Sequence, residues 1–178
     1  MDDFQTARER FKPHVIRFCL VAEAPPKRDT GRFFYFERVP RGDSLFLEIM
    51  KVLYPSEYGC VQDMRGNKYS LLNRFQLDGF YLVDASRGPM SDSRKSTKMR
   101  TLKNGLEQLE ADLLQLNHPS MKVVLISATV YAVCLERLRE IGLNVINTEM
   151  IDFPGSGRQS CFRSKFSCLL DDHGWSPE

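Results

Sequence analysis

Phe18-Cys-Leu-Val-Ala-Glu-Ala-Pro-Pro-Lys-Arg-Asp-Thr-Gly-Arg-Phe-Phe-Tyr-Phe36 is the stretch on which the fold turns. It opens inside an apolar run, Val15 to Ala22, that is β-branched at its start and short for a helix. The run stops on an acid, Glu23. Pro25 and Pro26 then forbid helix and hold the backbone extended. Gly31 and four aromatics, Phe33 to Phe36, then follow within a span of six residues. A buried strand ending in a carboxylate, a stiff turn and an aromatic cluster is how an α/β protein builds a site at the carboxyl edge of its sheet.

Outward from that stretch the chain alternates. Asp2 to Lys12 is a polar lead-in compatible with helix. Asp43 or Ser44 caps a helix to about Leu53, with Leu45, Ile49 and Leu53 at helical spacing. Tyr58 to Lys68 reads as a turn-rich link, and Ser70 to Phe75 as a short helix. Phe80 to Val83 is a second strand, ending on Asp84. Lys98 to Leu116 is the clearest amphipathic helix, with leucines at 102, 106, 109, 113 and 116. Val123 to Ile126 is an unbroken apolar strand of the parallel-sheet kind. Ser127 or Thr129 opens a helix that runs to Ile141, and Gly142 stops it. Asn144 to Met150 reads as a fourth strand. After the Pro154-Gly-Ser-Gly157 loop, Arg158 to Leu170 is the last helix. Four strand–loop–helix units predict an α/β fold: a three-layer αβα sandwich around a central, mostly parallel four-stranded sheet. Residues 1–178 form one domain in this reading, without internal repeats.

Composition narrows the classes. A chain of 178 residues with net charge +2 has length for a sizeable core and no charge excess that dictates a partner. Its five cysteines are odd in number and lack a CxxC pair, which points away from disulfide scaffolds, zinc and iron–sulfur sites. Neither a metal nor a cofactor is expected. A reduced, cytoplasmic setting is the simplest expectation. The acidic start, Met1-Asp-Asp-Phe-Gln5, lacks the order of a signal peptide. No apolar run approaches the ~20 residues of a membrane span. A monomer is expected. There is no GxGxxG after the first strand, no GxxxxGK[ST] and no GxSxG elbow.

In a parallel sheet all strand ends share one rim. That rim would collect Glu23, Pro25 and Pro26; Asp84, Ser86 and Arg87; Ser127 and Thr129; and Asp152, Phe153 and the loop Gly155, Ser156, Gly157, Arg158. Carboxylates, small polar groups, a glycine-rich loop and aromatics suit a flat, polar, phosphate-linked ligand. Each has a plainer reading: Glu23 as a turn cap, the aromatics as core, Gly155 and Gly157 as a turn. The basic run Arg94, Lys95, Lys98, Arg100, Lys103 is ordinarily a solvated helix start. Positive charge there opposes the helix dipole and needs an acid or a phosphate to offset it. His118 precedes a proline at a helix end, a structural position. His14 and His173 form no usable arrangement.

The order of rim motifs resembles the uracil-DNA glycosylase superfamily. Val21-Ala-Glu-Ala-Pro-Pro26 is similar to the first motif of that superfamily, Gly-Glu-Ala-Pro-Gly in one branch and Gly-Gln-Asp-Pro-Tyr-His in another. Gly31-Arg-Phe-Phe34 resembles the Gly-Arg-Pro-Phe that carries the base-stacking aromatic. Asp84-Ala-Ser-Arg-Gly-Pro89 stands where the family has an Arg-Pro-bearing loop. Ile126-Ser-Ala-Thr-Val130 resembles its third strand entering a helix. Phe153-Pro-Gly-Ser-Gly157 stands at its His-Pro-Ser motif. The set spans about Val15 to Phe166, and only the ordered set of five has specificity. Three departures matter. Phe153 occupies the place of the histidine that stabilises the departing base. Ala24 occupies that of the catalytic aspartate of one branch, and Ser86 that of a cluster cysteine.

The resemblance implies an enzyme that hydrolyses the N-glycosidic bond of an extruded base in DNA. Glu23 would be its central acid, stabilising oxocarbenium-like charge or orienting water. Asp84, at the second strand's end, would accept a hydrogen bond from a cytosine amine and repel uracil. Phe34 or Phe36 would stack on the base, worth about 1–3 kcal/mol. Pro26, where the uracil-specific branch has a blocking tyrosine, and Phe153 would border the base. Arg87, Gly155, Ser156, Gly157 and Arg158 would meet DNA phosphates. A C5-substituted cytosine, including the glucosylated hydroxymethylcytosine of phage DNA, fits these departures. Two other readings stand beside it: a catalytically silent member that binds nucleic acid or a nucleoside, and an α/β scaffold whose rim binds a protein.

Overall fold

A computed structural model describes residues 3–39, 41–56, 60–155 and 157–177. Three parallel strands form its sheet: β1 (Phe18–Ala22), β2 (Phe80–Asp84) and β3 (Lys122–Leu125), in the order β2-β1-β3. Register pairs Phe18 with both Phe80 and Lys122, and Ala22 with Asp84. All five residues of β1 are buried, so both faces of the central strand are covered, as its continuous apolar sequence demands.

Seven helices surround the sheet among the described residues: α1 (Asp3–Arg10), α2 (Ser44–Leu53), α3 (Val61–Gly66), α4 (Lys68–Leu77), α5 (Lys95–Leu116), α6 (Ala128–Glu140) and α7 (Gln159–Asp172). α5 packs against α6, and α2 against α7. Leu102, Leu109 and Leu113 form the buried stripe of α5, as the leucine spacing predicts. Beneath the sheet, Phe18 and Phe80 stack at 4.9 Å, and Trp175 meets Phe80 edge-on at 4.8 Å. Such aromatic pairs contribute about 0.5–1.5 kcal/mol beyond the area they bury. The buried apolar residues join into one cluster running from Phe4 to Leu170.

Two expectations need correction. The fourth strand, read over Asn144–Met150, is a single parallel bridge between Val123 and Val145. Backbone pairing there consists of Val123 N–H to Asn144 O (2.8 Å) and Ile146 N–H to Val123 O (3.0 Å). One step on, the carboxamide of buried Asn147 takes over from the backbone. Its Oδ1 accepts from Leu125 N–H at 2.7 Å and its Nδ2 donates to Leu125 O at 3.0 Å. Arg139 holds the turned-away carbonyls of Val145 and Asn147. The residues are strand-like, but an amide side chain completes the ladder and the chain leaves the sheet. Second, the link before the fourth helix contains α3, and Asn67 joins it directly to α4. Tyr58, in the same link, lies outside the described residues.

The opposite edge is closed in the same way. The Tyr35 hydroxyl accepts from Leu82 N–H at 2.6 Å and donates to Leu82 O at 3.1 Å. One side chain thus satisfies both outward groups of Leu82, and another both those of Leu125.

Candidate functional site

Glu23 is the first residue past β1. The ladder continues beneath it, with Ala85 N–H to Ala22 O at 2.8 Å and Ser86 N–H to Glu23 O at 3.0 Å. Its position is therefore fixed by the sheet. Its carboxylate is fixed by side chains. Oε1 accepts from Ser127 Oγ at 2.7 Å, and Oε2 from Lys98 Nζ at 2.8 Å. Ser127 is also the N-cap of α6, accepting from Thr129 N–H at 3.2 Å. The carboxylate thus stands at the positive end of a helix, through the residue that caps it. Burial pushes the Glu23 carboxyl up, but hydrogen bonds from Lys98, Ser127 and Thr129 outweigh burial and hold it below its ordinary value. It is ionised at neutral pH.

A cavity of about 390 Å³ opens over this carboxylate. Glu23, Pro26, Lys98, Met90 and Phe153 are among its walls. The size falls within the range of small-ligand pockets. Phe153 is 41% exposed, so its ring offers a free flat surface. The loop before it is pinned by Lys165, which donates to Met150 O at 2.9 Å and pairs with Glu149 at 3.0 Å. A Cβ on Gly155 would meet the Phe153 ring at 3.4 Å, ordinary van der Waals contact, so this packing does not by itself demand a glycine.

The remaining residues scatter. Phe34 is core: 7% exposed, it packs on Tyr35, Phe46 and Phe75 and has no open face for a base. Phe36 is half-buried against Phe4 and Phe33. Asp84 lies one residue out of phase with Glu23, since register aligns it with Ala22. Its carboxylate binds Arg8 of α1 at 2.6 Å and lines a different cavity, as does Arg87, whose partner is Asp112 at 3.0 Å. Pro25 lines both cavities. Gly157 (φ 83°) and exposed Arg158 lead into α7 and line neither one. Ser156 lies outside the described residues.

Sequence reading missed two partners. Lys98 was visible only as a cation placed against a helix dipole, and the acid that offsets it is Glu23, 75 residues earlier. Arg8 carries no local signal at all. Among the described residues, no group of three or more His, Cys, Asp or Glu side chains is placed to hold a metal ion. No helix among them is long and apolar enough to cross a membrane.

Comparison of the chain with family models, curated proteins and solved structures gives no match. The chemistry of the cavity therefore has to be read from its own residues.

Proposed function

We propose that the chain is a DNA glycosylase-like hydrolase that cleaves the N-glycosidic bond of an altered pyrimidine, with the layered architecture of the superfamily its motifs resemble. The observation that carries this reading is the ionised Glu23 carboxylate, anchored at the carboxyl end of the central strand in an open cavity beside an exposed aromatic ring. Cleavage transfers a water hydroxyl to C1′ of the sugar. The base departs with the bonding pair and takes up a proton. Glu23 stabilises the positive charge that grows on the sugar, or holds the attacking water. Phe153, rather than Phe34 or Phe36, provides the stacking surface. Pro26 leaves the wall free of the bulk that would exclude a C5 substituent, so a C5-modified pyrimidine, such as a modified cytosine, is the preferred substrate. Gly155, Gly157 and Arg158 stand shortly after Phe153 in the chain and are the candidates to meet DNA phosphates.

Lys98 sharpens the reading. The family histidine is absent at Phe153, yet a cation stands 2.8 Å from the acid and lines the same cavity. A displaced Lys98 ammonium would offset negative charge on a departing base.

Binding without cleavage is the second reading. It is favoured by the engagement of both Glu23 oxygens, which a reacting sugar would have to disturb. Strand-scission assays after alkali treatment separate the two. The substrates are oligonucleotides carrying uracil, cytosine, hydroxymethylcytosine or its glucosylated form. The hydrolase reading expects abasic sites from a modified cytosine, and a fall of at least a hundredfold in Glu23→Gln with DNA affinity retained. Binding with no cleavage of any substrate supports the second reading, and cleavage of uracil alone overturns the preference for a C5-modified base.

A further inference from the structure

An amine and a carboxylate meet in the cavity over Glu23, and together they can do more than help a base depart. Lys98 Nζ and Glu23 Oε2 stand 2.8 Å apart, and both residues line the cavity. Each is partly open: the Lys98 side chain is 27% exposed and that of Glu23 16%. Both are anchored in regular structure. Glu23 follows the central strand and is held by Ser127, while Lys98 belongs to a helix of 22 residues. The second amine in the wall, Lys27, is exposed in the loop after Pro26 and forms no ion pair among the described residues.

A lysine that shares a proton with a carboxylate is equipped to condense with a carbonyl. Attack by nitrogen on carbon needs the free amine, and a carboxylate in hydrogen-bond contact is placed to take the proton. A ligand that fills the cavity displaces the water around the ion pair, which eases that transfer. Positive charge on Nζ also stands against the dipole of α5. The adduct then needs an acid to expel its oxygen as water, and the protonated Glu23 is that acid. Lys27, with no carboxylate beside it, lacks this help. Removal of a base from DNA leaves a suitable carbonyl, because deoxyribose without its base opens to an aldehyde at C1′.

We propose that this site is also a lyase for abasic DNA, with Lys98 as the imine-forming amine and Glu23 as its proton carrier. The inference rests on the glycosylase reading for its substrate, since an abasic sugar is the product of that reaction. Lys98 Nζ bonds to C1′. The two protons it sheds pass through Glu23 to the carbonyl oxygen, which departs as water. The imine between C1′ and Nζ keeps the third proton and its positive charge. The Glu23 carboxylate next removes a proton from C2′ and passes it to water. A double bond forms between C2′ and C3′, and the C3′–O bond breaks with its electron pair leaving on the phosphate. Water then hydrolyses the imine, which frees Lys98 and releases an unsaturated aldehyde. Water is the only co-reactant.

An oligonucleotide carrying one preformed abasic site provides the test, because it needs no base removal. Incubated with the full chain and sodium borohydride, it should give a covalent adduct, since borohydride reduces the imine to a stable amine. Peptide mapping of the adduct should place the sugar on Lys98. Without borohydride or alkali, the strand should break at the abasic site. Lys98→Arg keeps the cation but forms no imine, so adduct and scission should be lost together. Glu23→Gln should slow scission at least tenfold. If Lys98→Arg does not fold, mapping in the unaltered chain decides alone. No adduct, an adduct on Lys27 or another amine, or undiminished scission in Lys98→Arg would overturn the proposal. The two readings fail separately. Base removal without an adduct overturns the lyase and keeps the glycosylase, whereas an adduct on Lys98 with no base removed from any substrate does the reverse.

Discussion

Lys98 sits in the first turns of α5, where a cation opposes the helix dipole at a cost of about 0.3–1 kcal/mol. It is kept there by Glu23. Lys98→Met should therefore raise the Glu23 carboxyl, a shift read by carbon-detected NMR titration of the side chain; an unmoved titration would mean that Ser127 and Thr129 alone hold it low. A lowered folded-state carboxyl contributes stability that is present above its unfolded value of 4.5 and is lost as pH falls through the folded value, and Lys98→Met should shrink that acid-side loss. Lys68 shows the opposite case. It is wholly buried over the Phe46 ring at 4.3 Å, 4.0 Å from Asp43, and burial lowers its ammonium to about 8. Between about 8 and 10.5 the unfolded chain binds the extra proton, so stability should rise with pH across that window. Lys68→Met should flatten that slope in urea denaturation series. The need for an acid near Lys98 was legible from its helix position. The burial of Lys68 was not, because nothing local marks a lysine whose partners come from a loop and another helix.

At the level of elements, the periodic signals read true and the irregular ones did not. The leucine stripe of α5, the apolar runs of β1 and β3 and the stop at Gly142 (φ 85°) all appear as the pattern implies. The segment after Gly142 looks like a strand, because Val145 and Ile146 are β-formers, and it begins as one. Its ending depends on Asn147 meeting Leu125, a contact 22 residues apart that sequence spacing cannot reveal. Asn147→Ala should cost about 1–3 kcal/mol, because it strands the amide and carbonyl of Leu125 in the interior. Tyr35→Phe should cost a similar amount at Leu82, and both are measurable as midpoint shifts in urea. Ser127→Ala removes a helix cap, worth about 1 kcal/mol, together with one of the anchors of Glu23. It should lower stability and loosen the carboxylate at once.

Across the whole molecule, strand order places the middle of the sheet at β1, so the stretch that ends in Glu23 is flanked by both other strands. The burial of that stretch was legible from its unbroken apolar sequence; its place in the middle of the sheet was not. The separation of Glu23 from Asp84 was not: both stand at strand ends, and only the register shows them out of phase and facing different cavities. Asp84 also shapes the pH response of the fold. Its carboxyl is raised by burial from 3.8 to about 6, so the folded chain holds the proton longer and stability should fall as pH rises through that interval. Asp84→Asn should remove the fall, as followed by thermal melts between pH 4 and 7. The closure of both sheet edges by single side chains reaches beyond the isolated fold. A flank with open amides and carbonyls invites an intruding strand from a peptide, a second copy or a growing fibril. Here an intruder would first have to evict Tyr35 or Asn147 from a buried seat, so the energy that keeps two residues in place also sets the threshold against templated aggregation.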